Sequence, residues 1–187
     1  MAVQLLENWL LKEQEKIQTK YRHLNHISVV EPNILFIGDS IVEYYPLQEL
    51  FGTSKTIVNR GIRGYQTGLL LENLDAHLYG GAVDKIFLLT VARDYPLTEI
   101  KLLSILPVNE GEEYQQAVYI RSNEKIQNWN QAYQELASAY MQVEFVPVFD
   151  CLTDQAGQLK KEYTTDGLHL SIAGYQALSK ALKDYLY

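Results

Sequence analysis

The sequence has little of several features that would direct it to a particular class of protein. Only one of its 187 residues, Cys151, is a cysteine, so no disulfide can form within the chain and we expect a reducing, cytoplasmic location. The formal net charge is −7 and no basic stripe appears, which argues against a nucleic-acid partner. No apolar run reaches membrane-spanning length, and charges such as Glu7 and Lys12 interrupt the N-terminal apolar residues, unlike a signal peptide.

The sequence also lacks the spacing of a metal site. His23, His26 and His77 stand apart from cysteine or carboxylate partners, so we expect no metal site. What the chain has in quantity is apolar residues, 47 %, which are enough for one sizeable core. We therefore predict a single domain over 1–187, with 1–30 as a helical extension packed on it.

Short apolar runs alternate with amphipathic segments along the chain. The runs predict strands at 33–38, 56–59, 84–89, 100–106 and 143–149, and the segments predict helices at 3–22, 41–50, 67–79, 122–140 and 171–187. This alternation is typical of a parallel sheet with helices on both faces. Ligand sites in such folds lie outside the carboxyl ends of the strands.

The first predicted strand ends at Gly38, Asp39 and Ser40. Gly38 permits a sharp turn, and Ser40 then stands where a helix begins, near free N–H groups that stabilise an anion. Such a serine is well placed to act as a nucleophile, although a plain helix cap is the favoured explanation when the stretch is taken alone. We assign Asp39 to structural support.

A second candidate feature precedes the last helix, where Asp166 and His169 are three residues apart. A short loop can turn the carboxylate onto one ring nitrogen and leave the other free to face a serine. Either motif alone is weak evidence. Their prediction at one sheet edge makes a Ser-His-Asp arrangement of Ser40, His169 and Asp166 more credible.

Three sequence blocks resemble those of the SGNH (GDSL-type) hydrolases, in the manner of the branch similar to platelet-activating-factor acetylhydrolases. They are I-G-D-S at 37–40, N-R-G-I-R-G at 59–64 and D-G-L-H at 166–169. The resemblance implies a three-layer α/β/α flavodoxin-like fold with a five-stranded parallel sheet, and hydrolysis of small esters without metal or cofactor. It implies that Ser40 is the nucleophile, His169 the base and then the acid, and Asp166 its orienting partner. It further implies an oxyanion hole made by the N–H groups of Ser40 and Gly64.

The resemblance implies a third oxyanion-hole donor, the asparagine of a Gly-x-Asn-Asp block directly after the third strand. This block is missing here, where Leu89 leads directly into Thr90. The crossover to the fourth strand is therefore abnormally short, because parallel neighbours need about a dozen residues or more. Either a loop-and-helix unit is deleted or residues are absent from the sequence, and we expect the sheet face beneath to lose apolar cover. Thr90 and Arg93 are candidate substitute donors, although an Arg93 paired with Asp94 is the simpler explanation.

Two further residues are candidates for pocket lining or support. Tyr65 follows the second block, and Asn109 lies just past the fourth strand. The preferred hypothesis is a serine esterase that cleaves short acyl, for example acetyl, esters of a small substrate through a weakened oxyanion hole. The alternative is a catalytically silent binding protein with the same fold, and a third outcome is a chain that folds badly. The motifs specify neither the acyl group, nor the alcohol, nor the oligomeric state.

Overall fold

The computed structural model describes residues 2–28, 31–78, 85–88, 98–118 and 120–186. Five parallel strands form one sheet in the order β2-β1-β3-β4-β5. Their bounds are β1 Ile34–Gly38, β2 Ile57–Gly61, β3 Lys85–Leu88, β4 Glu99–Leu103 and β5 Val143–Val146. The predicted five-stranded parallel sheet is confirmed, with each strand near its predicted position.

Helices connect and flank the strands. They are α1 Ala2–Ile27, α2 Ser40–Glu43, α3 Leu47–Phe51, α4 Thr67–Glu72, α5 Leu74–His77, α6 Gln115–Val118, α7 Asn123–Ser138 and α8 Ile172–Leu186. Two predicted helices are each divided in two. Pro46, which has no N–H to donate, separates α2 from α3, and Asn73 interrupts the other with a non-helical φ of −128°.

Apolar side chains cover both faces of the sheet, which makes the fold a three-layer α/β/α arrangement. On one face Phe36 and Phe87 stack with ring centroids 4.6 Å apart, in a cluster with side chains from α2, α3 and α8. On the other face Leu35, Ile37 and Leu88 lie in a cluster with side chains from α1, α4 and α5. Strands buried on both faces explain the continuous apolar runs of the sequence.

The connection between β3 and β4 is short, as the sequence predicted. The two strands are parallel neighbours, yet only residues 89–98 lie between them, and 89–97 are outside the described residues. The expectation that this sheet face loses apolar cover is wrong for its described strand residues. Leu88 is 0 % exposed and Ile100 is 3 % exposed, because both belong to the cluster to which the long helix α1 contributes.

The carboxyl ends of β1 and β2 lie side by side, since Gly38 pairs with Gly61. A Cβ atom on Gly61 would lie 2.2 Å from the backbone nitrogen of Glu43, so only glycine allows β2 to approach α2 this closely. Ser40 and the loop after β2 are thereby held at one edge of the sheet. In the described part of the chain no helix is both long and apolar enough to cross a membrane.

Candidate active site

Ser40, His169 and Asp166 form a continuous hydrogen-bonded chain at the carboxyl edge of the sheet. The Oγ atom of Ser40 lies 3.0 Å from Nε2 of His169, and Nδ1 of His169 lies 2.6 Å from Oδ2 of Asp166. An ionised carboxylate can only accept, so Nδ1–H donates to it and Nε2 is left to accept from the serine hydroxyl. The structure therefore brings together the three side chains that the sequence assigned to one site.

Backbone groups fix the loop that carries the acid and the imidazole. Oδ1 of Asp166 accepts from the backbone N–H groups of Leu168 at 2.9 Å and His169 at 2.7 Å. The hydroxyl of Thr164 donates to the His169 carbonyl and accepts from the Gly167 N–H. Burial alone would raise the pKa of Asp166, but the bonds from the His169 ring and these backbone groups outweigh it and lower that pKa.

Asp39 supports the start of α2. Its carboxylate accepts a hydrogen bond from the Ile41 N–H at 2.9 Å, in the manner of a helix cap. Burial raises the pKa of Asp39 above its ordinary value. Ser40 is thus the first residue of α2 and is capped by its neighbour, so the hydroxyl of Ser40 is not used as the cap and instead faces His169.

The loop after β2 brings Gly64 beside Ser40 along one cavity. Gly64 has φ +67°, a left-handed conformation that glycine adopts at little cost. Within the described residues, no hydrogen bond uses the backbone N–H of Ser40 or of Gly64. Two unused N–H donors that border one cavity are what an oxyanion hole requires.

Glu43, which belongs to no motif, and Tyr44 hold this loop against α2 and the imidazole. Both carboxylate oxygens of Glu43 accept from the Arg63 guanidinium, and one also accepts from the Arg63 backbone N–H. The Tyr44 ring meets the His169 ring edge-on at 5.7 Å, and the Arg63 guanidinium covers Tyr44 at 5.5 Å. Their position beside the first block was the available signal.

The cavity at Ser40 has a volume of about 270 Å³. One wall is apolar and consists of Ile105, Leu106, Pro107, Val108, Ile126 and Leu168, while Tyr65, Gln66 and Arg121 add polar groups. Arg121 is exposed, and among the described residues no carboxylate forms an ion pair with it. No motif includes Arg121, so nothing in the sequence indicates that it borders the site.

The remaining candidates lie in different places. Tyr65 lines the cavity, as proposed from the sequence, and its hydroxyl accepts from the Gln18 amide at 2.7 Å. Asn109 is buried and is not among the cavity residues given above. Its backbone N–H donates at 2.8 Å to the carbonyl of Gly167, in the loop that carries Asp166 and His169. Thr90 and Arg93 are outside the described residues. Over the described ranges, no group of three or more His, Cys, Asp or Glu side chains could hold a metal ion.

A three-layer α/β/α fold with a hydrogen-bonded serine, histidine and aspartate at the sheet edge is typical of serine hydrolases. Comparisons with known proteins identify the family. The sequence profile of the GDSL-like lipase/acylhydrolase family matches residues 86–177. A solved structure from Streptococcus pneumonia, described as "a putative platelet activating factor", is 87 % identical. The match covers 100 % of this chain and 99 % of that one, with a TM-score of 0.97.

More distant solved structures share the fold. A GDSL-like lipase from Bacteroides thetaiotaomicron is 18 % identical over 90 % of this chain and 96 % of its own, with a TM-score of 0.68. A catalytic mutant of an acetylxylan esterase from Geobacillus stearothermophilus is 16 % identical over 83 % and 94 %, with a TM-score of 0.60. No curated protein gave a significant match. The chain belongs to the GDSL-like lipase/acylhydrolase (SGNH) family. This membership supports an ester-hydrolase function.

Proposed function

We propose that this protein is a serine esterase that removes short acyl groups from small esters. The observation that carries the proposal is the chain from the Ser40 hydroxyl through the His169 ring to the Asp166 carboxylate, at 3.0 Å and 2.6 Å. A serine hydroxyl is a weak nucleophile until a base removes its proton. A neutral imidazole with one nitrogen on the hydroxyl and the other held by a carboxylate supplies that base.

In the acylation step, Ser40 Oγ attacks the ester carbonyl carbon while its proton passes to Nε2 of His169. The carbonyl oxygen becomes negative and receives hydrogen bonds from the N–H groups of Ser40 and Gly64. The tetrahedral intermediate then collapses, the carbon–oxygen bond to the alcohol breaks, and the His169 imidazolium protonates the leaving alcohol. Asp166 keeps the tautomer and stabilises the imidazolium.

In the deacylation step, a water molecule takes the place of the alcohol. The oxygen of this water attacks the acyl-serine carbonyl while His169 accepts a proton from the water. The N–H groups of Ser40 and Gly64 stabilise the second tetrahedral intermediate. Collapse returns the proton to Ser40 and releases the carboxylic acid. The family's asparagine donor is absent from this sequence, so turnover should lie about 10²–10³-fold below that of a three-donor enzyme.

The size of the cavity supports a short acyl group. Pockets for drug-sized ligands measure about 300–1,000 Å³, whereas the cavity at Ser40 is about 270 Å³. Its apolar wall, which includes Leu106 and Val108, suits a methyl or short alkyl chain. Arg121, an exposed residue, lines the same cavity, and its positive charge is suited to a polar or anionic alcohol portion.

Hydrolysis of p-nitrophenyl acetate by the parent protein and by Ser40→Ala and His169→Ala tests the proposal. We expect both substitutions to lower kcat by about 10³-fold or more, because each removes a member of one reacting unit. The octanoate ester should be hydrolysed more slowly than the acetate ester by the parent.

His23→Ala is the matched control, because His23 is exposed on α1 and is not one of the proposed catalytic residues. Its imidazole could contribute only weak background hydrolysis of the ester. It should leave the rate unchanged. Equal rates in the parent, Ser40→Ala and His169→Ala would refute the proposal.

A second candidate function follows from the missing Gly-x-Asn-Asp block. A protein of this fold with an incomplete oxyanion hole could bind an ester or acid without turning it over. Such a protein would show saturable binding of a short carboxylic acid and intact near-UV circular dichroism, but no acyl-enzyme on mixing with p-nitrophenyl acetate. A burst of p-nitrophenol equal to the protein concentration would remove this alternative.

A further inference from the structure

The peptide group between Arg63 and Gly64 is held from the side opposite the cavity by the N-terminal helix. The Gln14 side-chain amide donates a hydrogen bond to the Arg63 carbonyl oxygen at 2.9 Å. Gln14 is 3 % exposed, which is rare for a glutamine and shows that its amide is committed to the interior. Residues 63 and 14 are far apart in the sequence, so this contact is a product of the fold.

The geometry of the peptide group turns this contact into a statement about the Gly64 N–H. No cis peptide bond occurs among the described residues, and in a planar trans peptide the carbonyl and the following N–H point in opposite directions. The Arg63 carbonyl faces Gln14 on α1, so the Gly64 N–H faces away from α1. Gly64 and Ser40 line the same cavity, and this N–H has no partner in the described part of the chain.

Packing of α1 on Gly64 leaves the peptide little freedom to rotate. A Cβ atom on Gly64 would lie 2.9 Å from Leu10 Cδ2 and 3.2 Å from Gln14 Nε2. On the other side of Arg63, the carboxylate of Glu43 accepts the Arg63 backbone N–H. The two peptide groups that flank Arg63 are therefore each fixed by one buried or half-buried side chain.

The geometry points to Gln14 as a positioning residue for the oxyanion hole, acting through the Arg63–Gly64 peptide. This inference rests on the proposed esterase function. Gln14 would act in two ways, by setting the direction of the Gly64 N–H and by polarising the peptide, since a bonded carbonyl makes the N–H of the same group a better donor. Helix α1 is then part of the catalytic arrangement and not only a packing element.

Gln14→Met tests the inference, because methionine keeps the length and bulk of the side chain and removes the donor. We expect kcat for p-nitrophenyl acetate to fall about tenfold with KM within about twofold, since only the transition state carries charge on the carbonyl oxygen. The affinity for a boronic acid, which forms a tetrahedral adduct with the serine, should fall in parallel with kcat. Gln14→Asn, which keeps the amide but withdraws it by one carbon, is the smaller change if Gln14→Met does not fold.

Tyr21→Phe is the matched control. Its hydroxyl also donates from α1 to this part of the chain, to the carbonyl of Gly61 at the end of β2 at 2.9 Å, but does not touch the Arg63–Gly64 peptide. It should lower the melting temperature and leave kcat unchanged. An active parent with an unchanged kcat in folded Gln14→Met or Gln14→Asn, or an equal loss in Tyr21→Phe, would overturn the inference alone. A parent without turnover would overturn the proposed function and this inference with it.

Discussion

The Asp166 carboxylate has more hydrogen-bond partners than its role toward His169 requires. One oxygen accepts two backbone N–H groups, and the other accepts the ring N–H. Together these bonds lower the pKa of Asp166 in spite of burial. The carboxylate therefore stays ionised and oriented through the mildly acidic range, and it fixes the tautomer of the neutral His169 ring.

Asp166→Asn should change how the stability of the protein depends on pH. A carboxyl group whose pKa is lowered on folding stabilises the native state above its unfolded pKa, near 4, and this stabilisation is lost as the pH falls through the lowered value. The free energy of unfolding of the parent should exceed that of the variant at pH 7, by a modest amount because the Asp166 side chain is 38 % exposed. Urea unfolding at pH 7, 5 and 3 measures the difference, which should shrink towards pH 3. A difference that is the same at all three values would refute this assignment.

The residues of the site that could be predicted from the sequence are those that belong to short motifs. Ser40, Asp166 and His169 belong to short motifs whose residue types carry the chemistry. Gln14 and Arg121 belong to no motif, and each reaches the site only through the packing of a helix or the path of a loop. A one-dimensional pattern contains no signal for such contacts.

At the scale of elements, α1 contributes more than its amphipathic pattern indicated. The pattern correctly predicted a long N-terminal helix packed on the rest of the chain. In the structure α1 also donates hydrogen bonds from Gln14 and Gln18 to the segment between β2 and α4, and from Tyr21 to Gly61 at the end of β2. Its apolar residues share a cluster with Ile37 and Leu88 of the sheet.

His77, the last residue of α5, should make the stability of the native state depend on acid. It is 0 % exposed, and its Nδ1–H donates to the Arg60 carbonyl at 2.9 Å. Burial lowers the pKa of His77 to about 4, so the unfolded chain binds a proton more readily between pH 6.5 and 4 and the native state loses stability as the pH falls through that range. The loss attributable to His77 should approach about 3 kcal/mol at the acidic end.

His77→Gln provides the comparison, because glutamine keeps an amide donor for the Arg60 carbonyl but does not titrate. Its free energy of unfolding should fall less than that of the parent between pH 6.5 and 4. Chemical denaturation followed by circular dichroism gives both curves. Parallel curves for the two proteins would show that His77 is not the titrating group.

Element types were predicted better than element boundaries. Apolar runs located the five strands seen in the described residues, because strands buried on both faces need continuous apolar sequence. Helix 67–79 was predicted as one piece, since its leucines keep a helical spacing across Asn73. The break there depends on a local backbone conformation that no periodicity reveals.

At the scale of the whole molecule, the order of the strands brings the two ends of the sequence pattern together. The strand order 2-1-3-4-5 places β1 inside the sheet, and Ser40 follows β1 directly. The loop before α8 crosses to the same edge, where its histidine reaches the serine at 3.0 Å. The sequence predicted this meeting from the order of its blocks, whereas the 3.0 Å and 2.6 Å distances depend on the packed fold.

Covalent labelling of the folded protein with a fluorophosphonate tests the central claim most directly, namely that His169 activates Ser40. The account predicts one adduct per chain, located by peptide mass mapping on the peptide that contains Ser40, and no adduct in His169→Ala. A folded parent that takes up no label, or a His169→Ala variant labelled at Ser40 as fast as the parent, would contradict it.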